Sequence, residues 1–221
     1  MKKNYTHIVA LLDRSASMQT IIAEMRAGFN NFINEQKKLE SECTLTVVQF
    51  DNYYDKIFDF IPINEFTELN EKNYTPRGST ALIDSMYELI EDTGLKLANM
   101  GEASRPENVL FIVITDGEEN ASKKYSNKEL KEKIKHQENK YNWQFTYLGA
   151  NQDSFSEGFS LGFSNDSIMN YNTTSAGTSA MFSSLTSATS LYRTANLSST
   201  ANGSAKFKYS EKEQKETENI K

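Results

Sequence analysis

The chain has 221 residues, of which 38% are hydrophobic and 24% are charged, and its formal net charge at pH 7 is -6. This size and composition are typical of one well-buried globular domain with some additional sequence. A negative net charge disfavours non-specific binding to DNA, RNA or anionic membranes. No apolar stretch approaches the ~20 residues needed to cross a bilayer, so we expect neither a nucleic-acid partner nor a membrane span.

A single cysteine, Cys43, limits the redox chemistry of the chain. One cysteine cannot form an internal disulfide and is typical of a reducing compartment. The N-terminal segment has no small-residue cleavage site after its charged start, so we do not expect a signal peptide. Together these features predict a cytoplasmic protein.

Hydrophobic spacing in the first part of the chain predicts a strand, a helix and a hairpin, in that order. Residues 7–12 form a mostly apolar run, which is typical of a buried strand. Apolar residues recur at intervals of three and four over residues 17–39, which predicts a helix. Residues 44–50 and 53–60 then predict two strands, and the short turn at residues 51–52 indicates an antiparallel hairpin at a sheet edge.

The most apolar run of the chain, residues 109–114, indicates the architecture. It has no polar alternation, which favours a central strand covered on both faces, as in a parallel sheet. Around it we expect, in chain order, a helix after the turn at residues 76–79, a surface helix at 128–140, a strand at 143–148, a short helix at 154–160, a brief strand at 167–170 and a last helix at 178–192. Strands that alternate with helices predict a three-layer α/β fold with helices on both faces of the sheet.

Composition divides the chain into two parts. From about residue 196 it turns to Ser, Thr, Ala and Asn, and then to Lys, Glu and Gln, with few apolar residues. Such sequences bury little apolar surface and tend to remain disordered. We therefore expect one domain over residues 1–195 and a polar tail over residues 196–221 that is disordered or a loosely attached helix.

Oxygen-bearing side chains follow the predicted strands, or precede the predicted helices, at three places. Asp13, Ser15 and Ser17 come directly after the first strand, Thr80 lies at the start of a helix, and Asp116 follows the most apolar strand. In an open α/β sheet, functional sites lie beyond the carboxyl ends of the strands, so we expect these side chains to converge there. Hard oxygen donors of this kind suit a divalent cation such as Mg²⁺.

Each of the three segments also has a purely structural explanation. Ser15 or Ser17 could cap the first helix, and Thr80 could cap its own helix, by accepting hydrogen bonds from free backbone N–H groups. Asp116-Gly117 is a common turn dipeptide after a strand. Capping does not require all of these residues to lie at one end of the sheet, and this coincidence favours a shared site.

The pattern Asp13-x-Ser15-x-Ser17, followed by Thr80 in Gly-Ser-Thr-Ala-Leu and Asp116 in Thr-Asp-Gly, resembles the metal-ion-dependent adhesion site of the von Willebrand factor A domain family. All three segments occur in order with matching flanks, which makes the resemblance specific. It implies a Rossmann-like three-layer α/β fold with a mostly parallel sheet, one antiparallel edge strand and helices on both faces. The compact build is similar to that of prokaryotic or phage members.

The resemblance extends over residues 5–192 and includes the strand end at residues 48–51. One departure is Ala16, where glycine is common in the family. Because alanine is small, we expect little effect unless the backbone there needs a positive φ. Glu118 and Glu119 follow the third segment closely, and we expect them to be solvated loop acids.

The resemblance also implies roles for the site residues. Ser15, Ser17 and Thr80 would offer hydroxyls to Mg²⁺ or Mn²⁺, while Asp13 and Asp116 would bind the metal directly or through water. Two carboxylates balance one dication, and an Asp or Glu of a partner typically completes the coordination in this family. The expected function is therefore metal-dependent binding of a protein that presents an acidic residue.

Two other functions stay open. Mg²⁺-dependent phosphoryl transfer, with Asp13 as nucleophile, resembles haloacid-dehalogenase-like chemistry. Such sites have a second acid where this chain has Ser15, and Lys123 or Lys124 would serve only loosely as the catalytic lysine. The second alternative is a structural or assembly role, for instance in a phage particle, with the metal only stabilising the loops.

Catalytic machinery of the familiar kinds is missing from the sequence. The only two histidines are His7, at the start of the first strand, and His136, on the Lys/Glu-rich helix, so a Ser-His-Asp site is not expected. No phosphate-binding glycine loop and no Cys/His zinc spacing occurs. We therefore expect a binding module and not an enzyme.

Overall fold

The computed structural model describes residues 1–150, 154–198 and 205–219, and its strands belong to one sheet. The strands are β1 (Lys2–Asp13), β2 (Glu42–Phe50), β3 (Tyr54–Pro62), β4 (Pro106–Thr115), β5 (Gln144–Gly149) and β6 (Ile168–Asn170). The helices are α1 (Ile22–Lys37), α2 (Leu82–Asn99), α3 (Asn127–Tyr141), α4 (Ser154–Leu161), α5 (Ser175–Ser198) and α6 (Glu211–Asn219). A 3₁₀ turn at Ala16–Thr20 precedes α1.

The strand order is β3-β2-β1-β4-β5-β6, with β1 and β4 at the centre. All neighbouring pairs are parallel except β2 and β3, which form an antiparallel hairpin at the edge. The fold class and the edge hairpin predicted from the sequence are therefore confirmed. Parallel central strands need cover on both faces, which explains why β4 is a continuous apolar run.

Alternate residues of β1 face two separate helical layers. Ile8, Ala10 and Leu12 pack in the core that contains the apolar faces of α1 and α5. Val9 and Leu11 pack in the opposite core, with apolar residues of α2, α3 and α4. This alternation follows from the two-residue repeat of a strand, and it gives the three layers expected for the fold.

The first predicted helix begins differently from the expectation. The helical spacing starts near residue 17, but residues 16–20 form a 3₁₀ turn and the α-helix begins at Ile22. The tighter turn places the hydroxyls of Ser15 and Ser17 2.9 Å apart. The deviation therefore lies at the segment that bears the candidate site.

For the tail from residue 196 the sequence left disorder or a loosely attached helix open, and the structure describes the helix α6 within it. Phe207 and Tyr209 are buried in the core on the α1 and α5 side of the sheet, and the Tyr209 hydroxyl lies 2.9 Å from Oγ1 of Thr146 in β5. Ser210 and Glu213 exchange hydrogen bonds in a capping box at the start of α6. The predicted boundary at residue 195 falls inside α5, and residues 199–204 and 220–221 lie outside the described residues.

Of the helices in the described part of the chain, none combines the length and the apolar character that crossing a bilayer requires.

His7 is buried in the middle of β1, six residues before Asp13, and not at the start of the strand as the sequence predicted, because the strand begins at Lys2. Its Nδ1 lies 2.9 Å from Oγ1 of Thr44 and its Nε2 lies 3.2 Å from Oγ1 of Thr46, while its ring stacks on Phe60 with centroids 4.0 Å apart. Burial, and next to it the charge of Lys96, lowers the pKa of His7 to about 3. The imidazole is therefore a neutral core group and not a catalytic base.

We expect this burial to make stability depend on pH through His7. Because the pKa of His7 is lower in the folded than in the unfolded chain, its contribution is present above pH 6.5 and is lost as pH falls towards 3, by at most ~1.4 kcal/mol per pH unit. Chemical denaturation of wild type and His7→Gln between pH 7.5 and 4 should show a shallower loss of stability in the variant. His136→Gln, at the exposed histidine, should match wild type; parallel curves for wild type and His7→Gln would contradict the assignment.

Candidate metal centre

The five oxygen-bearing residues lie together at the carboxyl edge of the two central strands. Asp13 ends β1, Asp116 directly follows β4, and Thr80 lies just before α2. Ser17 donates a hydrogen bond of 2.7 Å to Oδ1 of Asp116, and the hydroxyls of Ser15 and Ser17 are within hydrogen-bond distance of each other. The fold thus brings all three sequence segments to one point.

Thr80 reaches the same point from the other side of Gly117. A Cβ placed on Gly117 would lie 3.0 Å from Oγ1 of Thr80, 3.3 Å from Oγ of Ser17 and 3.6 Å from Oγ of Ser15. The three hydroxyls therefore surround a space that a single methyl group would fill. The absence of a side chain at residue 117 keeps this space open.

Asp13 forms the buried base of the cluster. Its Oδ1 accepts a 2.6 Å hydrogen bond from the Ser15 backbone N–H, and its Oδ2 accepts one of 2.6 Å from the Thr115 hydroxyl. Burial raises the pKa of Asp13 to about 6, and the nearby charge of Asp116 adds to the increase. Burial also raises the pKa of Asp116, although the hydrogen bond from Ser17 opposes this effect. Two carboxylates in one poorly solvated place favour a neighbouring positive charge.

The hydroxyls of the cluster are not used as helix caps. In the described chain, no N-cap side chain forms a capping hydrogen bond at the start of the 3₁₀ turn, of α1 or of α2. The start of α2 is satisfied from another loop, since Oε2 of Glu119 accepts from the Ile83 N–H and Oγ of Ser122 accepts from the Asp84 N–H. Capping therefore does not explain Ser15, Ser17 or Thr80.

Glu119 differs from the solvated loop acid expected from the sequence. Besides the Ile83 N–H, its carboxylate accepts hydrogen bonds from the N–H groups of Ala121 and Ser122 and from the Ser122 hydroxyl. It therefore joins the loop after β4 to the start of α2. Glu118 is exposed, as expected.

Asn120 is a supporting residue that the sequence did not reveal. Its Oδ1 accepts a 2.9 Å hydrogen bond from the Thr80 N–H, and its own N–H donates to the Thr80 carbonyl at 3.0 Å. The two bonds fix the backbone of Thr80 to the loop that carries Asp116. The only sequence signal was the position of Asn120 four residues after Asp116.

Two buried tyrosines hold the strand ends beneath the cluster. The hydroxyl of Tyr74 donates to the carbonyl of Asp13 at 2.5 Å, and the hydroxyl of Tyr171 donates to the carbonyl of Thr115 at 3.3 Å. Each of these carbonyls belongs to the last residue of a central strand. Buried carbonyls need such partners, and here the partners fix the points at which the two site loops leave the sheet.

An ion-pair network supports the loop between Asp13 and Ser15. Oδ2 of Asp51 accepts from Nε of Arg14 at 3.1 Å and from Nε of Arg77 at 2.6 Å. Both guanidinium groups also contact the carboxylate of Asp55 in β3. Arg14 is buried, so these contacts offset the cost of removing its charge from water. The edge hairpin therefore fixes the first site loop to the turn before Thr80.

The donor set fits a hard divalent cation. Three hydroxyls and two carboxylates are oxygen ligands that Mg²⁺ and Mn²⁺ accept. The three hydroxyls border the open space beside Gly117, and the carboxylates are linked to them through the hydrogen bonds of Asp13 with the Ser15 N–H and of Asp116 with Ser17. The described residues contain no cluster of three or more His, Cys, Asp or Glu side chains. The site thus depends on neutral hydroxyls, and lacks the His and Cys ligands typical of structural zinc.

The three-layer α/β fold is shared with solved structures of von Willebrand factor A type. The chain matches the ArnB paralog VWA2 from Sulfolobus acidocaldarius (TM-score 0.55, 15% identity, covering 85% of this chain and 45% of that one). It also matches the von Willebrand factor type A protein from Catenulispora acidiphila (TM-score 0.57, 13% identity, covering 83% and 42%). A third match is proximal thread matrix protein 1 from the mussel byssus with a zinc-occupied MIDAS motif (TM-score 0.59, 14% identity, covering 88% and 46%).

These matches establish the fold, because the identities are low. The chain spans somewhat less than half the length of the solved structures it matches. No family model and no curated protein matches the sequence. The von Willebrand A architecture inferred from the sequence is confirmed at the level of the fold, and the five metal ligands stay a prediction.

We expect Gly117→Ala to weaken divalent metal binding by about tenfold or more, because the added methyl group would enter the space between the three hydroxyls. Calorimetric titration with Mn²⁺ measures the effect. Gly101→Ala is the matched control, since a Cβ there meets no atom within 4 Å. Equal Mn²⁺ affinity in both variants would show that the metal does not bind among these hydroxyls.

Proposed function

We propose that the chain is a metal-dependent protein-binding module. Ser15, Ser17 and Thr80 would hold Mg²⁺ or Mn²⁺ through their hydroxyls, and Asp13 and Asp116 would bind it directly or through water. The convergence of these donors around one open space is the observation that carries the proposal. Ser17 is exposed and Asp13 is fully buried, so the cluster faces solvent on one side.

The charge balance of the site explains why the bound metal would accept an acidic side chain of a partner protein. The two carboxylates neutralise a dication, and the three hydroxyls add no charge. When bound, the cation would therefore remain able to accept a carboxylate from outside. A charge-assisted contact in a partly dry site is stronger than an exposed ion pair, so one Asp or Glu of a partner would contribute much of the affinity.

The mussel thread protein, whose MIDAS motif is occupied by zinc, supports the proposal. By analogy we infer that this chain binds a divalent metal at the corresponding edge. Mg²⁺ and Mn²⁺ are preferred here because the donors are oxygens only. A cytoplasmic location and a bacterial or phage source remain predictions from the sequence.

A binding role is favoured over phosphoryl transfer by the environment of Asp13. A nucleophilic carboxylate must contact its substrate, but Asp13 has 0% exposure and both of its oxygens accept hydrogen bonds from the protein. The buried His7 lies six residues before Asp13 in β1, and both of its ring nitrogens contact threonine hydroxyls, so it does not serve Asp13 as a base. We therefore propose that the chain is not an enzyme, and that a purely structural role for the metal is the remaining alternative.

We expect Thr80→Val to abolish metal-dependent capture of a partner while preserving the fold, because valine keeps the shape of threonine and removes its hydroxyl. The measurement is affinity purification from the source cell in Mg²⁺ and in EDTA, followed by mass spectrometry. Ser79→Ala, at the exposed neighbouring residue, is the matched control and should capture the same proteins as wild type.

The outcomes separate the two roles of the metal. Partners that are lost in EDTA and with Thr80→Val support bridging through the metal. If EDTA lowers the unfolding temperature but the captured proteins stay the same, the metal only stabilises the loops and the proposed binding mechanism is wrong.

A further inference from the structure

A second concave site lies at the opposite edge of the sheet from the metal centre. A groove of about 520 Å³ opens between the C-terminal halves of α2 and α3, beside the start of β4 at Pro106. The ten-residue strand β4 separates it from Asp116 by about 30 Å, at ~3.3 Å per residue. Its volume is in the range of pockets that bind small organic molecules.

The floor of the groove is apolar and aromatic. Ile90, Val109 and Trp143 line it and are buried, and the Trp143 ring stacks on Phe111 with centroids 5.4 Å apart. The rim includes an exposed apolar side chain as well, since Leu95 is 61% exposed. Large exposed apolar side chains beside a concave floor are typical of a ligand-binding surface.

Gly94 keeps the groove open at its centre. It lies in the interior of α2, where glycine is less favourable than alanine because of its backbone entropy. Its backbone does not require glycine, because no left-handed φ occurs there and a Cβ would meet only the Trp143 ring at 3.9 Å. A larger side chain would fill the space beside the indole, so we explain the loss of helix stability at this glycine by the need to keep the groove open.

The rim of the groove carries positive charge. Arg105, Lys133 and Lys140 line it, against the carboxylates of Glu91 and Glu107. Glu91 is paired with Lys133, which leaves an excess of positive charge in a chain whose net charge is -6. Lys140 is exposed and lies over the Tyr141 ring, 5.3 Å from its centroid, so its ammonium is placed at the mouth.

We propose that this groove binds an organic anion with a flat apolar body, such as an aromatic carboxylate or sulfonate. The apolar body lies over Trp143 in the space left by Gly94, and the anionic group lies at the rim beside Lys140. The site is independent of the metal centre and does not rest on the function proposed for it.

The test uses 8-anilinonaphthalene-1-sulfonate and its uncharged analogue N-phenyl-1-naphthylamine as probes. Trp143 is the only tryptophan of the chain, so quenching of its emission and energy transfer to the probe report binding at this groove. We expect saturable quenching by the sulfonate, the same in Mg²⁺ and in EDTA, and weaker binding of the uncharged probe.

Two variants make the test specific. Gly94→Leu should abolish the quenching, while the matched variant Gly94→Ala should retain it, with the fold of both checked by circular dichroism. Lys140→Glu should weaken sulfonate binding by about fivefold and leave the uncharged probe unaffected.

Three results would overturn the proposal. They are quenching that survives Gly94→Leu, equal affinity for the charged and uncharged probes, and self-association that Gly94→Leu abolishes in sedimentation experiments. The last result would identify a second copy of the chain as the occupant of the groove.

Discussion

The structure of the site depends on one buried carboxylate. Each oxygen of Asp13 accepts a hydrogen bond from a different segment, one from the loop after β1 and one from the end of β4. The two central strands therefore end in a fixed relation, which brings Ser15, Ser17 and Asp116 to one point. Burial raises the pKa of this carboxyl to about 6, because the charged carboxylate is poorly solvated. A cation at the cluster would stabilise that charged form.

The sequence contained enough information for the architecture and for the residues that face the proposed metal. Strands and helices have local signals, and the carboxyl ends of parallel strands meet at one edge, so the positions of Asp13, Thr80 and Asp116 followed from their order. The supporting residues had no local signal. Asn120 and Tyr74 act on backbone groups 40 and 61 residues away, and such contacts exist only after the chain has folded.

The C-terminal segment shows the limit of composition as an indicator. Its average polarity predicted disorder or a loosely attached helix, but Phe207 and Tyr209 alternate along the chain and both enter the core beside β5. Two aromatic rings bury a large apolar area, and the capping box of Ser210 and Glu213 then starts a helix at their end. The average polarity of the whole tail concealed the alternation of two aromatic residues, which has a strong effect on packing.

A glycine borders the candidate site at each edge of the sheet, and at neither position does the backbone conformation require glycine. Neither Gly94 nor Gly117 has the positive φ that excludes other residues, so both positions would accept a side chain as far as the backbone is concerned. At Gly117 the missing Cβ leaves room for three hydroxyls from two loops, and at Gly94 it leaves room beside an indole ring. A glycine inside a helix lowers the stability of the fold relative to alanine. The backbone at Gly94 would accept a side chain, so the open space that glycine leaves there is best explained by a ligand that enters it. The open space beside Gly117, in the loop after β4, likewise supports the cation proposed for the polar edge.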